Sequence, residues 1–478
     1  MLFNALQFLL FLPIVFMVYW WVNKKSLQLQ NLLLLVASYF FYGCWDWRFL
    51  FLLLFSTALD YFTAIKMVEA KNKGNKIFWF WLSIIVNLGF LGVLKYYNFF
   101  ADSFAEALSG LGIQTNFWTL KVILPVGISF YTFHGLSYVI DIYKGRIQPE
   151  KNIITYSLFV AYFPLLVAGP IERATHLLPQ IRKRRFFDYN TAIDGVHQII
   201  WGLFKKVVIA DNCALYVNDI FDNYQSMNSL SLFLGAIYFS FQIYGDFSGY
   251  SDIAVGTSKL FGIDLLRNFN YPCFSRDIAE FWRRWHISLS SWFRDYLYIP
   301  LGGSKGGMWM KIRNTFIIFL VSGFWHGANW TFIVWGALHA AYFLPLLITQ
   351  NNRNNLDSVA RGKSLPTFKE LASMVFTFSL TTFAWIFFRA KTVSEACSYI
   401  KNMFSFNFNG KIQFLDFERY SIELLLLLGL FVVLEWNSRE REHFISGKWV
   451  TVKAILILTA ILILGAFSSP SDFIYFQF

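Results

Sequence analysis

The chain has 478 residues, of which 56% are hydrophobic and only 15% charged, whereas a typical soluble domain carries about 25% charged residues. This composition excludes an ordinary water-soluble domain, because so many apolar side chains need a bilayer around them. The formal net charge is +12, and basic cytoplasmic loops explain it better than nucleic-acid binding. The four cysteines form no CxxC pair and predict neither a zinc site nor a redox motif. They are Cys44, Cys213, Cys273 and Cys397.

Apolar runs follow one another along the chain and predict one mostly helical membrane domain over residues 1–478. We expect about eleven membrane-spanning helices, together with re-entrant and interfacial helices. The first run has an uncharged head and is too long for a signal-peptide core, so we expect a retained span rather than a cleaved signal. The runs cover residues 5–22, 31–44, 49–67, 77–94, 120–140, 153–167, 196–216, 230–243, 315–324, 331–348, 371–388, 422–434 and 452–467.

Lysine and arginine residues in the short loops predict the orientation of the chain. Lys24 and Lys25 place the first loop in the cytoplasm and the N-terminus outside, and the lysines of residues 71–76 return the chain to the cytoplasmic side. The two runs between these loops therefore form a hairpin, which we expect to turn at residues 43–46. Residues 101–118 carry acidic residues but no lysine or arginine, which predicts a loop on the outer side.

Two stretches depart from simple spanning helices. The basic residues 182–185 require the cytoplasmic side, so the run 153–167 must enter the membrane and return. Pro164 and Gly169 would break a straight helix there. Residues 246–314 mix charged and aromatic side chains, and are too polar to span and too aromatic for an ordinary loop. We predict amphipathic helices in the cytoplasmic interface, with local thinning of the membrane.

Ionisable residues inside apolar runs are costly and are therefore candidates for function. His326 and His339 both lie within the apolar stretch 315–348. His326 is flanked by Gly323 and Gly327, which permit a close approach or a break of the backbone. A neutral imidazole at this depth could take a proton from a hydroxyl group and return it to a leaving group. The alternative is a histidine that packs two helices through a hydrogen bond.

A second histidine, His286, lies in the polar block beside Arg283 and Arg284. The two guanidinium groups predict a site for a phosphate-bearing donor, and anionic lipid headgroups are the alternative ligand. Asp246 and Asp252 are candidates for binding a cation, although local partners explain them better because nothing else marks a metal site. No GxSxG, HExxH or P-loop motif occurs in the chain.

Several long strings of residues resemble the membrane-bound O-acyltransferase family, and most of all its bacterial alginate O-acetylase branch. The most specific are Trp-Arg-Arg-Trp-His at residues 282–286, Trp-Phe-Arg-Asp-Tyr at residues 292–296 and Gly-Phe-Trp-His-Gly at residues 323–327. The resemblance extends over nearly the whole chain, with further matches at residues 125–133, 168–173, 244–252 and 385–390. The D-alanyl transferases of teichoic-acid modification belong to a related branch.

This resemblance implies a fold and two catalytic residues. The implied fold is a ring of membrane-spanning helices around a thinned centre with a tunnel, and residues 244–340 would form its catalytic core. His326 falls on the catalytic histidine of the family, and His286 falls on the histidine associated with the reaction tunnel. His326 would act as the general base on the accepting hydroxyl group, while His286 would orient the thioester or stabilise developing charge.

The resemblance also implies a donor and the residues that would hold it. We expect acetyl transfer from a cytoplasmic thioester, acetyl-CoA, with no bound cofactor and no metal. Arg283, Arg284 and Arg294 could bind the phosphates of coenzyme A. Asn329 and Trp330 are candidate donors to the carbonyl oxygen, on their adjacency to His326 alone.

The expected acceptor is an exported cell-surface polysaccharide, such as alginate, cellulose or peptidoglycan. A periplasmic or membrane-anchored acetyltransferase would be the partner that passes the acetyl group to the polymer. The expected location is the bacterial inner membrane, crossed many times. Two alternatives stay open. One is D-alanyl transfer to teichoic acid from a carrier protein, and the other is a transporter with a proton relay, although no inverted repeat is visible.

Overall fold

The computed structural model describes residues 1–23, 26–115, 117, 119–120, 125, 127–166, 169–409, 421–467 and 471–476. These residues contain helices and no β-strand, which confirms the prediction of an all-α chain for them. The chain divides into two compact units. The first comprises Met1–Gly195 and Ala254–Leu266, and the second comprises Val196–Ile253 and Arg267–Phe478.

The first unit contains the N-terminal helices. A π-helical turn, Gly92–Tyr96, joins its third and fourth helices. The helices are α1 (Leu6–Asn23), α2 (Leu27–Glu69), α3 (Lys73–Leu91), α4 (Tyr97–Ser109), α5 (Ile128–Tyr143), α6 (Ile153–Ala161), α7 (Phe163–Leu166), α8 (Ala174–Ile181) and the first part of α9 (Tyr189–Leu203).

The second unit contains the remainder of α9 and the helices that follow it, except the end of α11 from Ala254, which belongs to the first unit. Short π-helical segments occur at Phe204–Ala210 and Arg294–Tyr298, and 3-10 turns at Pro272–Phe274 and Ile474–Phe476. The α-helices are α10 (Asp211–Asp222), α11 (Ser229–Leu260), α12 (Ile278–Arg284), α13 (Ile287–Phe293), α14 (Met308–His326), α15 (Trp330–Ile348), α16 (Phe368–Arg389), α17 (Val393–Met403), α18 (Ser421–Ser438) and α19 (Val450–Leu464).

Several helices are suited to a membrane by length and composition. Within the described residues, four helical segments are long and apolar enough to cross a bilayer, namely Leu27–Glu69, Lys73–Ser109, Trp330–Ile348 and Phe368–Arg389. Shorter apolar helices are Leu6–Val22, Ile153–Leu166 and Val450–Leu464. The count of about eleven spans and the ring around a tunnel stay predictions.

The first unit confirms one predicted break and corrects two boundaries. Asp46, inside the predicted turn at residues 43–46, is the position at which α2 leaves helical geometry (φ −155°, ψ 111°). Within the predicted span 120–140, helix α5 begins at Ile128, after Gly127 in a left-handed conformation (φ 75°), whereas residues 121–124 and 126 lie outside the described residues. The predicted outer loop 101–118 is helical as far as Ser109, since α4 extends through its first half. Lys24 and Lys25 lie outside the described residues.

The run 153–167 is broken, as predicted, but before Pro164. Helix α6 ends at Ala161, Tyr162 is non-helical (ψ 113°), and α7 follows. Pro164 is the second residue of α7, where its missing N–H costs no helical hydrogen bond. The last residue of this run, Val167, and the neighbouring Ala168 lie outside the described residues.

The interfacial block begins later than the sequence predicts. Helix α11 continues to Leu260, so Asp246 and Asp252 belong to a long helix and not to interfacial segments. The reason is that lysines of an adjacent helical segment compensate both carboxylates. Lys206 Nζ lies 2.9 Å from Asp246, and Lys205 Nζ lies 2.6 Å from Asp252. From residue 261 to residue 307 the helices are short, and their position in the cytoplasmic interface stays a prediction.

Two glycines bring α14 and α15 into backbone contact. A Cβ atom on Gly323 would lie 2.2 Å from the carbonyl oxygen of Phe332, and one on Gly336 would lie 2.3 Å from that of Phe319. Side chains larger than hydrogen are therefore excluded from this crossing. The close approach explains why a glycine stands one turn before His326, and it fixes the end of α14 against α15.

Candidate active site

His326 is the last residue of α14, and its side chain is buried, with 4% of the residue exposed. Aromatic rings surround the imidazole. Trp335 of α15 meets it edge-on with ring centroids 5.1 Å apart, Phe388 of α16 lies at 5.4 Å, and Tyr475 at 5.5 Å. An imidazole in such surroundings is shielded from water. It is thus suited to proton transfer with a bound hydroxyl group.

His339, on α15, has a packing role that the structure explains directly. The residue is fully buried, and its Nδ1 atom accepts a hydrogen bond of 3.2 Å from the indole nitrogen of Trp282. Trp335 packs against the same ring at 4.7 Å. This hydrogen bond joins α12 to α15, which is the arrangement that the helix-packing alternative requires of a membrane histidine.

His286 is held in a defined orientation by Asn268. The Asn268 Oδ1 atom accepts a hydrogen bond from the backbone N–H of Ser288 (3.4 Å), which identifies it as the amide oxygen, and it lies 3.0 Å from His286 Nδ1. Because an amide oxygen only accepts, His286 Nδ1 must carry the proton, and the lone pair is on Nε2. Burial lowers the pKa of His286 well below its usual range, and the neighbouring His326 adds to that effect.

The backbone of His286 is also unusual. It has φ 43° and ψ 55°, a left-handed conformation that costs a residue with a Cβ about 1–3 kcal/mol. Helix α12 ends at Arg284 and α13 begins with Ile287, so Trp285 and His286 form the sharp turn between two short helices. The turn directs the imidazole into the interior, where the residue is 2% exposed.

Two aromatic rings connect the two buried histidines. Phe247 of α11 meets His286 at right angles with ring centroids 4.6 Å apart, and Tyr475 lies 4.8 Å from Phe247. Tyr475 in turn lies 5.5 Å from His326. We call these four residues the histidine cluster. It is formed by α11, the α12–α13 turn, α14 and the segment 471–475.

The predicted donor arginines are in different environments. Arg284 is buried and bonded to Glu280 (2.8 Å) and to backbone carbonyl groups. Arg283 donates to the carbonyl groups of Asn352 and Asn355, each at 2.8 Å. The side chain of Arg294 is 63% exposed and contacts Asp295 at 2.7 Å. Of the three, Arg294 is the one whose guanidinium group is most accessible to a ligand.

A cavity of about 260 Å³ lies beside these residues. Trp282, Phe319 and Phe343 supply apolar walls, while Arg294 and Arg353 supply positive charge. Ser322, one helical turn before His326, also lines the cavity. An apolar space with cationic groups suits a ligand that combines an apolar arm with phosphates.

Asn329 and Trp330 begin α15. Asn329 is its N-cap, with Oδ1 accepting from Thr331 N at 3.0 Å and Nδ2 donating to Lys391 O at 2.8 Å. Trp330 is 53% exposed. The structure therefore brings His326 and His286 into one cluster and Arg294 to a cavity, whereas protein groups occupy the polar atoms of Asn329.

Sequence reasoning missed Asn268 and Tyr475. Asn268 lies in the irregular stretch between α11 and the 3-10 turn, and Tyr475 lies in a short 3-10 turn near the end of the sequence. Neither position is marked by periodicity or by a recognisable motif. Asp246 and Asp252, which sequence analysis weighed as cation ligands, are instead bonded to Lys206 and Lys205.

Comparison with known proteins agrees with the geometry. The model of "MBOAT, membrane-bound O-acyltransferase family" matches residues 149–364, which include both histidines of the cluster. The chain is similar to the peptidoglycan O-acetyltransferase of Helicobacter pylori, with 33% identity over 100% of this chain and 98% of that protein. It is also similar to the probable alginate O-acetylase AlgI of Pseudomonas putida, with 36% identity over 100% of both chains.

A more distant similarity links the chain to the teichoic acid D-alanyltransferase of Bacillus subtilis, with 27% identity over 57% of this chain and 70% of that protein. All of these similarities fall within one enzyme class, which removes the reason for the transporter alternative. The chain therefore belongs to the membrane-bound O-acyltransferase family and is an O-acyltransferase.

Proposed function

We propose that this enzyme takes an acetyl group from acetyl-CoA on the cytoplasmic side and transfers it to an accepting hydroxyl group, for the O-acetylation of an exported cell-surface polysaccharide. The names of its relatives in Helicobacter and Pseudomonas, a peptidoglycan O-acetyltransferase and a probable alginate O-acetylase, support this acceptor class. The proposed location is the bacterial inner membrane, with the N-terminus outside. A periplasmic or membrane-anchored acetyltransferase would hand the acetyl group on to the polymer.

The observation that carries the mechanism is the histidine cluster. His326 and His286 are buried, close enough for electrostatic coupling, and bridged by Phe247 and Tyr475. His326 would take the proton of the accepting hydroxyl group, whose oxygen attacks the thioester carbonyl carbon. The C–O bond forms, the C–S bond breaks, and the proton passes from the imidazole to the departing thiolate. The products are an ester and free thiol.

The tautomer of His286 refines its proposed role. A neutral imidazole whose Nδ1–H is bonded to Asn268 has an acceptor, not a donor, at Nε2. The attacking hydroxyl group has only one proton, which passes to His326, so Nε2 of His286 would accept a hydrogen bond from a neighbouring hydroxyl group of the acceptor. The neutral imidazole cannot donate to the negative charge on the carbonyl oxygen unless it first becomes protonated. We therefore propose that His286 orients the acceptor through that neighbouring hydroxyl group, in place of the two roles expected from the sequence, which were orienting the thioester and stabilising developing charge.

The cavity beside Trp282 is the proposed donor site. Its apolar walls would hold the pantetheine arm, and Arg294 and Arg353 would contact the phosphates. Ser322 connects this cavity to the turn of α14 that carries His326. Arg284, with its guanidinium group bonded to Glu280, would support the local structure rather than contact the donor.

The test uses the purified protein in liposomes with labelled acetyl-CoA and fragments of alginate, cellulose and peptidoglycan as acceptors. His326→Ala and His326→Gln should each lower turnover by about 10²–10⁴-fold, because an amide cannot take a proton at neutral pH. His339→Ala is the buried-histidine control and should retain more activity, with folding checked by thermal stability in detergent. A well-folded His326→Gln protein with wild-type turnover would refute the catalytic assignment. A carrier-protein D-alanyl thioester, assayed in parallel, tests the related activity.

A further inference from the structure

Residues 471–474 are anchored to a buried group of charges in the second unit. Lys206 Nζ lies 2.8 Å from Asp211 and 2.9 Å from Asp246, and all three residues are at most 2% exposed. The same ammonium group donates to the carbonyl oxygen of Ser471 at 2.9 Å, and the Ser471 hydroxyl donates to Asp211. The backbone N–H of Ile474 donates to Asp246 at 2.7 Å. Charge-assisted hydrogen bonds of this kind fix both the position and the direction of a segment.

The anchoring directs the next side chain into the histidine cluster. Phe473 packs on Tyr250 with ring centroids 4.5 Å apart, and Tyr475 packs on Phe473 at 5.6 Å with nearly parallel rings. Tyr475 then contacts Phe247 at 4.8 Å and His326 at 5.5 Å. Its ring is thus held from three sides and lies on the path between His326 and the Phe247 ring that covers His286.

We propose that Tyr475 is a specificity-determining residue that limits the length of the acyl group. The inference rests on the proposed function. If the thioester carbonyl reacts at His326 while His286 holds the acceptor, the acyl chain must lie next to the Tyr475 ring. A short acyl group such as acetyl fits beside a fixed aromatic wall, whereas each additional methylene has to displace it. The Lys206 anchor makes that displacement difficult, since moving the ring means moving residues 471–474.

The effect of such an aromatic wall on kcat/KM for acyl donors of different length has a typical magnitude. One methylene in a pocket of fixed size changes kcat/KM by about 10–200-fold. Tyr475→Ala should remove the wall and raise the ratio of kcat/KM for butyryl-CoA to that for acetyl-CoA by at least about tenfold. Tyr475→Phe keeps the ring and should keep the wild-type ratio. A purely structural residue, by contrast, would lower the rates with all donors together.

The experiment measures acetyl-, propionyl- and butyryl-CoA with the wild type, Tyr475→Ala, Tyr475→Phe and a control. The control is Tyr399→Ala. Tyr399 is a buried tyrosine of the same unit that packs on Phe221 at 4.5 Å and donates to Leu232 O, apart from the histidine cluster. If Tyr475→Ala does not fold in detergent, Tyr475→Leu takes its place, because leucine is shorter yet keeps the site apolar.

The outcomes separate the role of Tyr475 in acyl-length specificity from the proposed function itself. A raised butyryl-to-acetyl ratio in Tyr475→Ala or Tyr475→Leu, but not in Tyr399→Ala, supports the inference. Wild-type transfer with an unchanged ratio in the folded Tyr475 variants overturns the inference and leaves the proposed function standing. Equal changes of the ratio in Tyr399→Ala also overturn it. Absence of transfer by the wild type from every CoA thioester refutes the proposed function, and the inference with it.

Discussion

Replacing Asn268 with alanine tests whether the orientation of His286 matters. Asn268 Oδ1 accepts from His286 Nδ1 (3.0 Å) and from Ser288 Oγ (2.9 Å), and its Nδ2 donates to Ser251 Oγ (3.1 Å). A buried polar group that loses its partner costs about 1–3 kcal/mol. The two serine hydroxyls can rotate to other partners, so the lower limit of about 1 kcal/mol applies to each of them, whereas the full range of about 1–3 kcal/mol applies to the His286 Nδ1–H. With the longer contact to the Ser288 N–H (3.4 Å) left out, Asn268→Ala should lower the free energy of unfolding by about 3–5 kcal/mol.

The same substitution should lower activity more than stability alone explains. Without the amide oxygen, the His286 proton is no longer fixed on Nδ1, and the ring is free to turn. Misplacement of a reacting group by about 1 Å costs on the order of 10²-fold in rate. We therefore expect kcat to fall by about that factor at a temperature where the variant is folded. The measurement is acetyl transfer in liposomes, with thermal unfolding in detergent as the control for folding.

Asn268→Asp separates orientation from charge. The carboxylate still accepts from His286 and Ser288, but its negative charge favours the imidazolium form and raises the pKa of His286. In the wild type that pKa lies well below its usual range, so His286 stays neutral as the pH falls. If the reaction needs a neutral Nε2, activity in Asn268→Asp is lost at a higher pH than in the wild type. A folded Asn268→Asp protein with the acid limb of the wild-type pH–rate profile would refute this account of His286.

Two further substitutions address the anchor and the donor site. Lys206→Met leaves the buried Asp211 and Asp246 without their cation and should lower the free energy of unfolding by about 3–5 kcal/mol. The control, Lys66→Met, breaks an exposed pair with Glu69 and should lower it by no more than about 1 kcal/mol. Equal unfolding free energies for the two variants would contradict the anchor. Arg294→Ala should raise KM for acetyl-CoA more than it lowers kcat, because its guanidinium group lines the cavity, and an unchanged KM would exclude it from donor binding. The control is the exposed Arg361, replaced by alanine.

The sequence identifies the two histidines but not the groups that position them. An ionisable residue inside an apolar run carries its own signal, because burial of such a group is costly without a function. Asn268 carries no such signal, since asparagine is common in irregular segments and its partner His286 lies 18 residues away. Tyr475 approaches His326 only through the tertiary fold, and tyrosine in an aromatic-rich chain is unremarkable. Such contacts form between side chains that only the fold brings together, so a local sequence pattern does not reveal them.

The predicted end of α11 is also wrong, for a related reason. Polar density after Asp246 predicts an interfacial block, because an isolated carboxylate is expensive in a helix surrounded by apolar groups. The structure compensates both carboxylates with lysines from the π-helical segment Phe204–Ala210. Pairing between segments so far apart in sequence is invisible to a periodicity argument. The sequence therefore predicts that this segment is helical, but it does not predict where the helix ends.

The choice of an amide rather than a carboxylate beside His286 agrees with the chemistry. A buried carboxylate would fix the ring equally well, but it would raise the pKa of His286 and favour the imidazolium form, in which Nε2 is no longer an acceptor. Asn268 orients the ring without adding charge, so Nε2 remains an acceptor in surroundings that exclude water. Exclusion of water matters for a thioester, since hydrolysis competes with transfer to the acceptor. The charges that are buried, on Lys206, Asp211 and Asp246, compensate one another at the anchor and hold the segment that carries Tyr475 in place.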